Sequence, residues 1–527
     1  MKHTLVLLFA FLSTTLFSNL SAQNGHDKIS WSPSLDVANT FMDIGMVGNA
    51  KDGYVRIFEQ NNTNLQGGII IYNGNHGVSE IILKAVNSQM KVTASFKMDK
   101  LTLSKSISTV CFAEMKSNVY WIYSCLDEEM RKFYAYKINL KTAKFDGQPI
   151  LLVEMDKNSR FSESQAADSS SFLIQYQSQR NKREGNKVGV CVFNEKMKKT
   201  SAEDYILPFK DEEMYLEQKI VDENANVYFL LKVRDPNHNW SKLTVVRYRK
   251  SEKTPDIIPV GLGDKQPQSF KLTEDLAGHI NLMGYYFQNE KAIIGGMYLF
   301  QLNAQGKAFE NIGKGFYELP ESLMIAYETS HAIKKSEKGI QVNSKDKLRS
   351  SSLGITEFIT HSDGSRTIIG EVHKSDDVFS THSSATIYDY DDLVIARLNP
   401  AGEMIWVKRL PKNQQYIPNG ILQGISGACS YKAIVQGNNL YLLYMDTPKN
   451  EKSDPNETPV QFTLGEKASF YCVKYDGAGL EARTILLEDI EFKNRINLLE
   501  TRIAEPNQLI GFGGYPKDSR MCKIKVY

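Results

Sequence analysis

The sequence predicts an all-β chain folded as a β-propeller, with eight four-stranded antiparallel blades and seven as the alternative. Three observations lead there. One polar hairpin is written repeatedly. Apolar residues run consecutively through short strand-like segments. The last repeat is one strand short, and a strand with no assigned repeat lies near the start.

The hairpin is clearest in "VIARLNPAGEMIW" from Val394, "MYLFQLNAQGKAFE" from Met297 and "FYCVKYDGAGLEA" from Phe470. Each apolar run meets an Asn-or-Asp-x-x-Gly turn and reverses. Gly402, Gly306 and Gly479 are the residues expected to supply positive φ at little steric cost. The hairpin belongs to a larger unit of four strands. Units start near Lys219, Lys271, Gly354 and Cys429, with fainter copies near Phe41, Ser108 and Gln165. Four antiparallel strands recurring every fifty residues or so is the blade pattern. Segments such as Tyr228 to Leu231 are apolar on successive residues, as a sheet covered on both faces requires.

A last unit begins near Ile496 and stops after three strands at Tyr527. "KISWSPSLDV", near the other end, resembles the outer strand "MIWVKRLP". The expectation is one propeller domain over 28–527, its ring closed by the N-terminal strand so that no sheet edge is left bare.

The 63 Lys plus Arg against 61 Asp plus Glu give no basic face for nucleic acid. At the start, Lys2 and His3 precede the apolar "TLVLLFAFLSTTLF" and the small-residue stretch "SNLSAQ". This reads as a signal peptide, 1–22, cleaved after Ala22. The apolar run is short for a membrane span, and no later segment is a transmembrane candidate. Export to the periplasm, the outer-membrane surface or the medium follows, with a monomer expected. Cys191, Cys472 and Cys522 lie in apolar runs and read as small hydrophobes. Cys111 and Cys125 are the one pair placed to face each other across a hairpin. No C-x-x-C, G-x-S-x-G, H-E-x-x-H or P-loop string is present.

Blade topology sorts the loops. Turns joining first to second and third to fourth strands share one face of the disc, and all are short. The other face carries the long segments: 374–391 in the sixth blade, 446–466 in the seventh, and the inter-blade insertion 319–353, with a short helix expected around Ser322 to Lys334. Long loops on a rigid scaffold are where binding concentrates. Candidate binding residues there are Asp376, Asp377, Asp389, Asp391 and Asp392. Their carboxylates could serve Ca²⁺, although the spacing matches no calcium loop, so no metal site is assigned. His238 and Trp240 in "RDPNHNW" are candidates for polar or stacking contacts. Arg180, Lys182, Arg183 and Lys187 form a basic loop on the same face. His361 falls on the opposite face from His373 and His382, which argues against a three-histidine site. Gly-rich "GFGGYP" near Gly511 reads as close packing.

Two resemblances add to this. The short signal ending in "SAQ" resembles those of Bacteroidetes-type bacteria. The "L-N-x-x-G-x-x-x-W"-like turn resembles a motif of secreted bacterial propeller repeats, over one hairpin in four blades. That resemblance implies the fold, and such families carry many functions. The reading is a non-catalytic propeller binding a protein or glycan on its long-loop face, without a cofactor. The alternatives are a polysaccharide or peptide hydrolase or lyase with carboxylates at the central channel, and a structural component of an envelope assembly.

Overall fold

Strand Val227–Val233 shows why the apolar runs are unbroken. Val227, Phe229 and Leu231 pack into one cluster with Leu173, Val190 and Val192, while Tyr228 and Leu230 pack into another with Leu272, Leu282 and Phe300. Successive side chains of a strand point to opposite faces. Here both faces meet another sheet, so both must be apolar.

In the computed structural model this arrangement repeats around a closed ring. The structure describes residues 28–37, 42–49, 51–61, 65–66, 69–70, 78–98, 107–127, 129–177, 187–235, 240–250, 252–287, 294–320, 323, 353–379, 384–416, 429–451, 459–463, 466–490, 496–498, 501–505, 508–513 and 520–526. Eight blades result. The first runs from Met42–Asn49 to Val92–Met98, the second from Ile107–Met115 to Lys144–Asp156, and the third from Arg160–Gln165 to Lys199–Ile206. The fourth spans Met214–Val221 to Asp256–Pro259, the fifth Gln266–Glu274 to Phe309–Glu318, the sixth Leu353–Thr360 to Met404–Leu410, and the seventh Lys432–Gln436 to Glu481–Ile490. The eighth combines Arg502–Glu505, Gln508–Gly513 and Arg520–Lys525 with Ile29–Trp31. Its register pairs Ile29 with Ile524, Ser30 with Lys523 and Trp31 with Cys522. The ring therefore has eight blades and closes as the sequence predicts.

The core is not one mass but a set of wedges between consecutive blades. The wedge of blades eight and one, with Tyr54, Phe58, Ile510 and Met521, completes the circle. The turns follow one design. Gly402 N donates to Asn399 O at 2.9 Å, Asn399 N to Glu403 O at 2.9 Å, and Gly402 has φ +80°. The turns at Gly306 and Gly479 match, with φ of +64° and +82°. Gly402 is constrained twice, because a Cβ there would lie 2.7 Å from Gly313 N in the neighbouring blade.

Several expectations are corrected. Cys111 lies opposite Ile122, and Cys125 opposite Ile107, four positions along the strand from Cys111. The two thiols therefore do not face each other, and none of the six cysteines is in a disulfide. Residues 374–379 and 384–391 are not loop but the extended arms of strands Arg366–Phe379 and Ser384–Leu398, paired out to Phe379 and Ser384, and 380–383 lie outside the described residues. Lys187 stands in a strand, with Nζ 2.8 Å from Asp204, not in a basic loop tip. Residues 1–22, Arg180, Lys182, Arg183, His238 and His382 lie outside the described residues, as does the expected helix apart from Leu323. Gly511 is closely packed as predicted: a Cβ there would lie 3.1 Å from Cys522 Sγ.

Candidate functional site

The long ribbon of blade six is held upright by its neighbours. Gln414–Tyr416 pairs antiparallel with Tyr388 to Tyr390, and Phe462–Thr463 adds in parallel from the blade-seven insertion. Described parts of the two long segments of this face thus share one sheet. Beneath it, Lys412 Nζ donates to Glu371 Oε1 at 2.6 Å, to Tyr390 O at 3.0 Å and to Gln414 Oε1 at 3.0 Å. Ser430 Oγ donates to the other Glu371 oxygen at 2.6 Å. A buried ammonium and carboxylate are tolerable only when paired and hydrogen-bonded in this way. One face of the ribbon carries an aromatic row. His373 stacks on Tyr390 at 4.7 Å, and Tyr388 stacks on Tyr416 at 6.0 Å.

The acidic run of the ribbon does not converge. Asp392 accepts from Arg409 Nε at 2.9 Å and Lys412 N at 3.0 Å; Asp391 lies 3.8 Å from Lys374; Asp389 accepts from Gln415 Nε2 at 3.0 Å. Asp376 and Asp377 sit in strand register opposite Ile387 and Thr386. Among the described residues, no group of three His, Cys, Asp or Glu side chains could hold a metal ion. In the blade-seven insertion, the buried Asp446 accepts from Thr447 N at 2.7 Å and Asn450 Nδ2 at 2.9 Å, and burial pushes its carboxyl up to about 7. Asn450 in turn clamps Val460 N at 2.8 Å and Val460 O at 2.7 Å.

His361 lies in the short turn at the other end of the same blade, as the sequence placed it. It is buried, with Nε2 2.7 Å from Thr367 Oγ1 and Nδ1 3.4 Å from Gly437 O. Burial and the Arg397 guanidinium push its imidazole down to about 4.

The central channel is lined by the first strands of the blades. Those of blades one, two, four, five, six and eight each carry a bulge. A bulge bends a strand and re-aims its side chains. Opposite charges alternate along this lining. Lys219 is beside Glu163, Glu357 is beside both Lys271 and Lys432, and Arg502 is 2.9 Å from Glu114. Burial lowers the three lysines, and the facing carboxylates oppose it.

At the channel mouth, on the long-loop face, Tyr215 is 51% exposed and packs on Trp240 at 4.1 Å with the rings tilted by 36°. The Arg234 guanidinium covers Trp240 at 4.5 Å. Ser241 Oγ donates to Asp235 at 2.8 Å. Glu217 projects from the adjacent bulge, and burial raises its carboxyl against the pull of Lys232. Trp240 was legible as a candidate; Tyr215 was not, because its strand and that loop meet only in the fold.

No family model matches the chain, and no curated protein matches it. Among solved structures it is similar to the WD40 domain of SCAP from fission yeast, at 8% identity and TM-score 0.38, covering 95% of both chains. It is similar to prolyl oligopeptidase B from Galerina marginata, at 10% identity and TM-score 0.38, covering 90% of this chain and 55% of that one. The polysaccharide lyase Uly1 matches at 9% identity and TM-score 0.37, covering 79% and 90%. These likenesses are too distant to assign an activity. What the strand order defines is the class, an eight-bladed β-propeller.

Proposed function

We propose that the protein is an exported, non-catalytic propeller that binds a protein partner through its long-loop face. The observation that carries this is the exposed Tyr215 packed against Trp240 beneath Arg234 at the channel mouth. Tyr, Trp and Arg are the residue types that dominate binding energy at protein interfaces. Here they are locked by stacking, so little side-chain freedom is lost on contact. The ribbon of blade six stands on the same face and enlarges the surface. A glycan is the second reading, supported by the half-buried aromatic row of Tyr388 and Tyr390 beside the exposed His373. A hydrolase or lyase with channel carboxylates has less support, because Glu163, Glu357 and Glu114 each lie beside a cation.

The test compares capture from envelope extract by the wild-type chain, by a Tyr215→Ala/Trp240→Ala variant, and by a chain whose blade-six ribbon is cut to a short turn, alongside a glycan array. Loss of one specific protein partner in the double variant, with the melting temperature kept, is the expected result. Equal capture by all three chains overturns the proposal, and a specific array hit lost in the variants moves it to the glycan reading.

A further inference from the structure

On the far side of the ring, a cleft of about 510 Å³ lies between blades one and two. It reaches the Asp127–Met130 turn, on the long-loop face. We propose that this cleft binds a neutral saccharide of one or two sugar rings.

Its walls are flat, aromatic and rigid. Tyr123 stacks on Trp121 at 4.3 Å and on Tyr134 at 5.4 Å, with interplanar angles of 30° and 18°. Tyr136 stacks on Phe145 at 4.4 Å. Trp121 is anchored from behind: its indole N–H donates to Thr109 Oγ1 at 3.0 Å, and Thr109 donates to the buried Glu59 at 2.8 Å. Rings held this way present area at little further cost in conformational freedom.

The polar groups are of a different kind from those of an ion site. Asp127 and Lys132, both lining the cleft, are already paired at 2.7 Å, and Glu154 lies 3.7 Å from the same ammonium. The group of three carries one net negative charge, and its ammonium is already engaged. The other polar lining comes from the Tyr123, Tyr134 and Tyr136 phenols and Gln148, with the Cys125 thiol close to the Tyr123 and Tyr134 hydroxyls. The Tyr123 phenol, protonated at neutral pH at its ordinary value of 10.0 and raised further by burial, is an O–H donor. The half-exposed rings of Tyr134 and Tyr136, backed by the buried stack and edged by phenol and amide groups and the paired Asp127 and Lys132, suit a ligand with an apolar face and a hydroxylated edge, which is what a sugar ring offers. The size falls within the roughly 300–1,000 Å³ typical of small-molecule sites.

The experiment is calorimetric titration of the full chain with cellobiose, maltose and N-acetyllactosamine, with p-cresol as an apolar control. At least one disaccharide should bind at a single site. Tyr134→Ala should weaken it by about fivefold to tenfold, the worth of one aromatic contact. Tyr215→Ala, at the channel mouth, should leave it unchanged, which separates this site from the proposed partner surface. Tyr123→Phe keeps the ring packing and removes only a hydroxyl, and it decides the matter if Tyr134→Ala fails to fold. The proposal is overturned if no disaccharide binds up to tens of millimolar, if p-cresol alone binds, or if binding survives both cleft substitutions in folded protein.

Discussion

Lys412 Nζ lies 2.6 Å from Glu371 Oε1, and the two side chains are 0% and 4% exposed. The pair joins the base of the blade-six ribbon to the chain that leads into blade seven. Removing one partner strands the other in a site without solvent. Lys412→Met should therefore cost about 3–5 kcal/mol of stability. Adding Glu371→Gln should recover part of that loss, because the stranded charge is gone. Urea unfolding of the two variants checks this, and a double variant no more stable than Lys412→Met would mean the pair is not the cause.

Ring closure rests on three residues at the start of the described chain. Ile29 is buried against Leu509, Cys522 and Ile524, Lys525 N donates to Lys28 O at 2.8 Å, and Met521 N donates to Ser32 Oγ at 3.0 Å. Deleting the residues before Leu35 bares the Arg520–Lys525 edge and exposes two apolar side chains, worth about 1.5–3 kcal/mol each when fully buried. The melting temperature should drop clearly in a calorimetric scan. An unchanged transition would show that the eighth blade holds without its outer strand.

Gly402→Val should destabilise by more than the roughly 1–3 kcal/mol of backbone strain alone. The residue has φ +80°, and an added Cβ also meets Gly313 N and Ile312. Gly437→Ala is the control, with φ +57° and nothing within 4 Å of its Cβ. Denaturant midpoints should rank Gly402→Val well below Gly437→Ala, while binding on the opposite face persists in folded protein.

Two buried groups give opposite pH signatures. Asp446 has an ordinary value of 3.8 and sits at about 7 when folded. Between these values the folded state holds the extra proton, so its contribution to stability falls as pH rises through that window. His361 has an ordinary value of 6.5 and sits at about 4 when folded. There the unfolded state holds the extra proton, so stability is lost as pH falls from 6.5 towards 4. Relative to wild type, Asp446→Asn should gain stability as pH rises from 4 to 7. His361→Gln should gain relative stability as pH falls from 6.5 to 4. Unfolding curves across this range check both, and parallel profiles for variant and wild type would refute the corresponding assignment.

The repeat was legible where a glycine marks its turn. In blades five to seven the left-handed position is filled by Gly306, Gly402 and Gly479. In blades one and three the same turn is built with Met90 at φ +63° and Met197 at φ +56°. Asn87 and Asn194 accept from those backbone nitrogens at 2.9 and 2.8 Å, as Asn399 does from Gly402. The copies near Phe41 and Gln165 read as faint because packing there pays for a backbone conformation that the residue type does not advertise.

The candidate sites divide along the same line. Strand order, blade number and ring closure follow from patterns local to each segment, which the chain determines by itself: turn residues, apolar runs and a missing strand. The rest depends on segments far apart in sequence. The 374–391 stretch is polar enough to read as a loop, yet its described arms pair with each other, Gln414–Tyr416 pairs with one of them, and Phe462–Thr463 pairs with Gln414 and Gln415 to extend the sheet. Asp389, Asp391 and Asp392 look like one acidic cluster, but a strand turns neighbours to opposite faces and each finds a different partner. Tyr215 and Trp240 are 25 positions apart and touch because a strand start and a loop share the channel mouth. Such contacts are set by how blades are placed around the ring, and only the tertiary structure decides them.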